Sequence, residues 1–526
     1  MLFWQRVALV LLLAASTTFY VFGLDRAPVY LGGDEAHFAI GGHAIATTGR
    51  NVNGDRLPLF FNLEDPLGDP VGMPWGDTWY HPYLFYLVAL ALKVLPFSEA
   101  AVRVPNAVIG GLITPLLIFA AARRMRFGFS GAIAAAAAVV LAPTHFILSR
   151  EALDYTLVIP FAAGWAYFLA DYLDTRRVRS ALLGGIVLGV GCLSYIASWG
   201  ALPMLLGVSW LAYWRSGSGW FRAVAASAAG FAPIPLLVVV WLASHPTVLH
   251  DTSERYRILE TNRPPSDQMR MASPGAVPPL YASYFGWTFL FRVGGDNITT
   301  STGLTGVFLK PMAILVPVGL IALWMRRRDV VGWPIIVGLL LAPLPAAVSG
   351  HAGAIQRALL MVPFAALIGG AGAGALWRSG VMPFRAALIA LAAAVPFYMV
   401  PFVDDYFGHH RHRSAFYFDS VNFEGVAKHL VSADGVRAVF LRRNLDAAPA
   451  RWRFHLTKAG RQDLLAKTYY FTDPGEADSA PTGTRMVMYV EGELVRRLLD
   501  AGMWETEATI KDIDEREAAI VLRKVR

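Results

Sequence analysis

The chain has 526 residues, of which 55% are apolar and only 16% charged, and it carries a formal net charge of +8. A soluble globular protein carries about 25% charged residues, and here long uncharged runs recur from Val7 to Val403. That pattern excludes a secreted, fibrous or disordered protein, while a lone Cys192 excludes an intramolecular disulfide and any cysteine-built metal site.

In chain order, the apolar runs at 7–23, 104–122, 129–148, 155–173, 180–197, 200–214, 223–243, 305–324, 330–349, 354–377 and 383–403 predict eleven transmembrane helices. Most approach the length of about 20 residues that a bilayer requires. The first run is longer than a usual signal-peptide core and reads as an anchor. Basic clusters follow every second run: Arg123, Arg124 and Arg126; Arg176, Arg177 and Arg179; Arg215 and Arg222; Arg326, Arg327 and Arg328; Arg378 and Arg385. Lys and Arg flanking spans stay in the cytoplasm, so all five clusters mark that face.

Residues 81–97 are apolar but short, with His81-Pro82 at the start and Lys93 inside. If they span, the N-terminus is outside; if they lie flat at the interface, it is inside. The clusters fit either arrangement. Arg6 before the first run favours an N-inside chain and a flat segment. Two large outer loops follow, 24–100 and 244–304. On this topology the cytoplasmic face holds 14 basic residues against three acids, the outer loops are slightly acidic, and the tail is neutral. The basic excess is therefore orientation charge and implies no nucleic acid. Residues 404–526 change character, with frequent charges and short apolar runs. Strands at 436–441 and 485–490, a helix at 491–502 and a hairpin of 505–510 with 517–523 predict a small extracytoplasmic α/β domain. The fold class is mainly α and polytopic, N-in and C-out, with a membrane domain at 1–403 and the α/β domain at 404–526.

The ionisable residues gather at the outer rim. Asp34 and Glu35 begin a predicted helix, where an acid serves as a cap or as a base for an attacking hydroxyl or amine. Arg150 and Asp154 leave the third span, either as interfacial anchors or as an anion site. His81-Pro82 suits a helix start. Gly294-Gly295-Asp296-Asn297 is turn chemistry, and Arg357 opens the tenth span. The patch of His409, His410 and His412 reads as interfacial rather than metal-binding. There is no Walker loop, Rossmann fingerprint or nucleophile elbow. The spans hold almost no ionisable residues, unlike an ion-coupled transporter. Chemistry at the outer surface on a lipid-linked substrate is the reading that remains.

The ordered motifs resemble those of GT-C membrane glycosyltransferases, in particular the dolichyl-phosphate-mannose-protein mannosyltransferase-like group, whose bacterial members use polyprenyl-phosphate-linked sugars. The carriers are Asp34-Glu35-Ala36-His37-Phe38, His81-Pro82-Tyr83-Leu84, Arg103-Val104-Pro105 with Gly110-Gly111, and Ser149-Arg150 with Leu153-Asp154. Further on come Tyr284-Phe285 with Gly294-Gly295-Asp296-Asn297, and Gln356-Arg357 leading to Pro363. Tyr83 replaces a second proline of the eukaryotic motif. The resemblance implies a sugar transferase of the cell inner membrane, acting on its outer face with inversion. The donor would be a polyprenyl-phosphate sugar and the acceptor an envelope glycolipid, polysaccharide or protein. It implies Asp34 as the base and Glu35 and His37 as residues that orient it or meet the sugar. Arg103, Arg150 and Arg357 become candidates for the lipid phosphate, with His81, Asp154, Asp296 and Asn297 as further substrate contacts. It also favours the flat segment at 81–97. A magnesium or manganese ion bridging Asp34 and Asp154 is compatible with it. A lipid-linked sugar flippase and a non-enzymatic envelope scaffold are the alternatives.

Overall fold

Each apolar run carries helix in the computed structural model, which describes residues 2–62, 79–248, 273–325, 331–350, 352–442, 445, 447–471, 474–490 and 492–526. The cluster Arg326, Arg327 and Arg328 and residues 249–272 of the loop 244–304 lie outside those residues. Prolines divide several runs, because proline removes a donor and clashes with the preceding turn. The run at 129–148 breaks into Gly128–Val140 and Pro143–Leu148. The run at 223–243 becomes Trp220–Phe231 and Pro233–Ser244, bent by 40°. Among the described residues, four helices are long and apolar enough to cross a membrane, and the bent pair makes a fifth. The remaining apolar helices are shorter, so the predicted eleven spans correspond to helical segments rather than eleven straight rods.

The run expected to begin at 305 becomes helix only at Met312. Before it, Val307 and Phe308 donate backbone bonds to the carbonyls of Phe289 and Leu290, which holds that stretch as a loop at the helix entrance. The segment after His81 forms helix Pro82–Leu92. Eleven residues rise about 17 Å, about half of the apolar core of a bilayer. That helix is too short to cross alone.

Small residues bring the central helices together. A Cβ on Gly370 would lie 2.6 Å from the Gly131 carbonyl oxygen, so helices Gly128–Val140 and Met361–Arg378 meet backbone to backbone, as in other membrane helix pairs. Gly110 does similar work beside the outer loops. It lies in a π-helical segment, Ile109–Ile113, and a Cβ there would sit 2.4 Å from Ser149 Oγ.

The tail folds around a five-stranded sheet in the order β4-β3-β5-β7-β6, with β3 (Val439–Arg442), β4 (Thr468–Phe471), β5 (Arg485–Met488), β6 (Trp504–Lys511) and β7 (Glu517–Lys524). Strands β4, β3 and β5 are parallel, and β5, β7 and β6 antiparallel. Strand alternation sends neighbours to opposite faces. Val487 and Val521 pack with Leu430 and Trp452, while Met486, Met488 and Ile520 pack with Leu494 and Leu498. The expected hairpin forms as β6 and β7. Strand β4 and helix Ala448–Lys458 were not foreseen, and that helix proves important because it packs on helix Gly33–Thr48 of the first outer loop.

Candidate functional site

Helix Gly33–Thr48 opens with Asp34 and Glu35 in its first turn. The two neighbours have opposite environments, because consecutive helical side chains point about 100° apart. Glu35 is only 1% exposed. Its Oε1 accepts from Arg103 Nε at 2.9 Å and from the Ala152 amide at 2.8 Å. Its Oε2 accepts from Arg103 Nη2 and the Gly32 amide, both at 2.9 Å. Four donors saturate the carboxylate. Arg103 then spends its remaining donors on the carbonyls of Leu24, Pro28 and Tyr30. Arg103 was a candidate for the lipid phosphate; it is instead a fully buried clamp that shapes the first outer loop. Glu35, expected to orient the base or touch sugar, is the other half of that clamp.

Arg150 is likewise enclosed. Its Nη1 donates to the carbonyls of Tyr20 and Phe22, and its Nη2 to those of Gly23 and Ala27. Phe146, Tyr406 and Phe407 rings surround the guanidinium. It pins the exit of the first helix and offers no open edge to a substrate. Asn106 completes the scaffold by donating to the carbonyls of Glu151 and Leu153. Glu151 is itself buried, and burial with the nearby Glu35 charge pushes its carboxyl well up. The Arg-x-Pro-Asn pattern is thus the keel on which both acidic loops sit.

Asp34 is half-buried, and its Oδ1 accepts a 2.6 Å bond from the Tyr80 hydroxyl. Tyr80 lies on β2 (Trp79–Tyr80), which pairs antiparallel with β1 (Phe61–Asn62). Asp154 begins a short 3-10 turn, Asp154–Leu157. The phenol of Tyr155 lies within electrostatic reach of Asp34, Asp154, Tyr80 and Tyr195, and its ring meets Tyr195 edge-on at 5.1 Å. Tyr155 thus links two carboxylates and two further phenols electrostatically. The turn Ile355–Ala358, which carries Arg357, packs against Asp154–Leu157. Arg357 is half-buried. Both Arg357 and Asp296 act on Tyr284, whose phenol burial pushes up to about 12. Asp296 and Asn297 are exposed; Asn297 Oδ1 accepts from the Thr299 amide and hydroxyl, a turn role. His37 is half-buried on the Asp34 helix.

His81 caps helix Pro82–Leu92 and is 3% exposed. Its ring sits between Phe60 and Trp199, at 5.3 and 5.4 Å. Burial pushes the imidazole down to about 3, so it is neutral at ordinary pH. Sequence reasoning singled out Tyr284 but missed the other tyrosines. Nothing in their spacing distinguishes Tyr80, Tyr155 and Tyr195 from an ordinary interfacial aromatic belt.

Among the described residues, no group of three or more His, Cys, Asp or Glu is placed to hold a metal ion. The histidines after the last span fall into separate settings: His410 is buried, and His412 bonds to Asp514 at 2.9 Å.

Residues 80–242 match the family described as dolichyl-phosphate-mannose-protein mannosyltransferase, in agreement with the resemblance carried by the motifs. The match includes His81, Arg103, Arg150 and Asp154 and begins after Asp34. No curated protein matches the chain. Among solved structures, it is similar to ArnT from Cupriavidus metallidurans in the apo state, at 14% identity and a TM-score of 0.60 over 98% of this chain and 97% of that one. It is equally similar to ArnT bound to undecaprenyl phosphate, at 15% identity and a TM-score of 0.60 over 97% of each chain. An oligosaccharyltransferase from Archaeoglobus fulgidus tethered to an acceptor peptide matches at 13% identity and a TM-score of 0.52, over 93% of this chain and 69% of that one. The shared feature is the fold.

Proposed function

We propose that the protein is a membrane glycosyltransferase that moves a sugar from a polyprenyl-phosphate donor to an envelope acceptor on the outer face of the membrane. The observation that carries this reading is Asp34, half-buried and held through one oxygen by the Tyr80 hydroxyl at 2.6 Å, in a chain that shares its fold with ArnT bound to undecaprenyl phosphate. The related ArnT structure holds undecaprenyl phosphate, a lipid of the donor class.

Asp34 is the base. Tyr80 holds one of its oxygens, leaving the second to take the proton of an acceptor hydroxyl or amine. The acceptor atom bonds to C1 of the sugar as the C1–O bond to the lipid phosphate breaks, and the phosphate departs with that electron pair. One displacement inverts C1. The departing anion requires positive charge in a water-poor site. Of the three candidate arginines, Arg103 and Arg150 are fully buried, while half-buried Arg357 stands on the turn that packs against Asp154–Leu157 and takes this role. Its planar fork matches phosphate oxygens. A magnesium or manganese ion would be held by Asp34 and Asp154 and would supply further positive charge to the phosphate.

The test uses purified protein with candidate polyprenyl-phosphate sugars and acceptors, reading free polyprenyl phosphate. Asp34→Asn is nearly isosteric, and transfer should fall by about 10²-fold or more. Undiminished transfer removes Asp34 from the mechanism. Binding or translocation of the lipid without release of free polyprenyl phosphate would favour a flippase or a scaffold.

A further inference from the structure

A groove away from the carboxylates has no part in the reaction above. It runs between the loop 301–311 and the last long helix, Met382–Asp405, and is lined by Phe291, Leu304, Phe308, Phe397 and Phe402 with a cavity of about 130 Å³. Its aqueous end is closed by Arg413, which donates to both oxygens of Asp405 and to the Thr302 carbonyl. Its flank is open, since Leu304 is 64% and Phe397 77% exposed.

Inside this apolar frame stands a cation. Lys310 is exposed, and its Nζ lies 5.2 Å from the centre of the Tyr398 ring. Among the described residues it pairs with no carboxylate. Tyr398 precedes Asp405 by seven residues, about 10 Å along a helix. The ammonium therefore sits about two turns below the aqueous rim, where an unneutralised charge is costly. The ring contact offsets only part of that cost. An anion at headgroup depth attached to an apolar chain satisfies both the cation and the groove.

We propose that this groove binds an anionic phospholipid of the outer leaflet, with its phosphate on Lys310 and one acyl chain along the phenylalanine wall. The site is separate from the sugar donor. It fills the wedge between the loop before helix Met312–Met325 and the helix that leads into the C-terminal domain, so the lipid bolsters the packing of that last span.

Native mass spectrometry of the full-length protein in neutral detergent tests this with phosphatidylglycerol, phosphatidylcholine or inorganic phosphate as the added probe. The wild type should retain one phosphatidylglycerol in preference to phosphatidylcholine. Lys310→Gln should weaken that retention about fivefold, the effect of one basic residue on an anionic lipid. Thr305→Trp, which keeps the lysine but fills the groove, should also lose the lipid. Equal retention of both lipids, or unchanged retention in either variant, overturns the proposal. Displacement of phosphatidylglycerol by millimolar inorganic phosphate also overturns it, because that behaviour marks a small-anion site without the acyl contact.

Discussion

Replacing Glu35 by Gln separates the two acids that sit side by side in the first outer loop. The Glu35 carboxylate accepts four bonds of 2.8–2.9 Å, two of them from Arg103. A glutamine offers a single acceptor oxygen, and its amide nitrogen must face donors on the other side. Removing one member of a buried ion pair costs about 3–5 kcal/mol. Arg103 keeps three carbonyl partners, so the lower end, about 3 kcal/mol, is expected. The loss should be felt where the clamp acts, in the loop 24–35 and the Ala152 turn. Asp34→Asn should behave differently. Asp34 is half-buried, and asparagine can still accept from Tyr80, so only the helix-dipole contribution of about 0.3–1 kcal/mol is lost. Thermal unfolding in detergent and limited proteolysis of the first loop, run beside the transfer assay, distinguish them. Asp34→Asn should lose transfer with a nearly unchanged melting point and cleavage pattern. Glu35→Gln should lose melting temperature, protease resistance and transfer together. A Glu35→Gln protein as stable and as protease-resistant as Asp34→Asn, yet inactive, would refute the clamp and give Glu35 a direct part in the chemistry.

Tyr80→Phe removes the 2.6 Å hydrogen bond that positions the proposed base; the loss of one such bond, about 1 kcal/mol, should lower the transfer rate severalfold, read in the same transfer assay. His81 has a folded pKa pushed down to about 3 against about 6.5 in the unfolded chain. Its contribution to stability is present above pH 6.5 and is lost as pH falls, amounting to about 1.4 kcal/mol by pH 5.5. His81→Phe should therefore flatten that share of the acid dependence of melting. Arg150→Lys cannot reproduce four carbonyl bonds from a planar fork and should lower expression and melting temperature, whereas Arg357→Lys should keep the fold and raise the donor KM, measured side by side.

The membrane class and the order of the motifs were legible in the chain, because each depends on local composition. A bilayer selects long apolar runs whatever their partners are. The α/β character of the tail was legible for the same reason, since β5 and the final hairpin have short apolar strands between charged turns. Helix Ala448–Lys458 escaped because its apolar content is interrupted by Arg451, Arg453 and His455, and β4 because its four residues are too few to show a period. Arg451 and His455 are buried in the fold, so polar letters concealed a packed helix.

What the sequence by itself determined is which residue types stand at the outer rim: Asp34, Glu35, Arg103, Arg150, Asp154 and Arg357 all appear as plausible chemistry. What only the tertiary structure decided is how they divide. Glu35 and Arg103 are 68 residues apart in the chain and form one buried ion pair. Arg150 meets backbone carbonyls more than 120 residues away. Asp34 instead accepts from Tyr80, supplied by a β-ribbon, and acts with Asp154 on Tyr155, supplied by a 3-10 turn. A side chain's partners, and hence whether its charge is spent or available, depend on which distant backbone arrives beside it. Local sequence carries no record of that, and packing alone makes one carboxylate a structural anchor and its neighbour the proposed base.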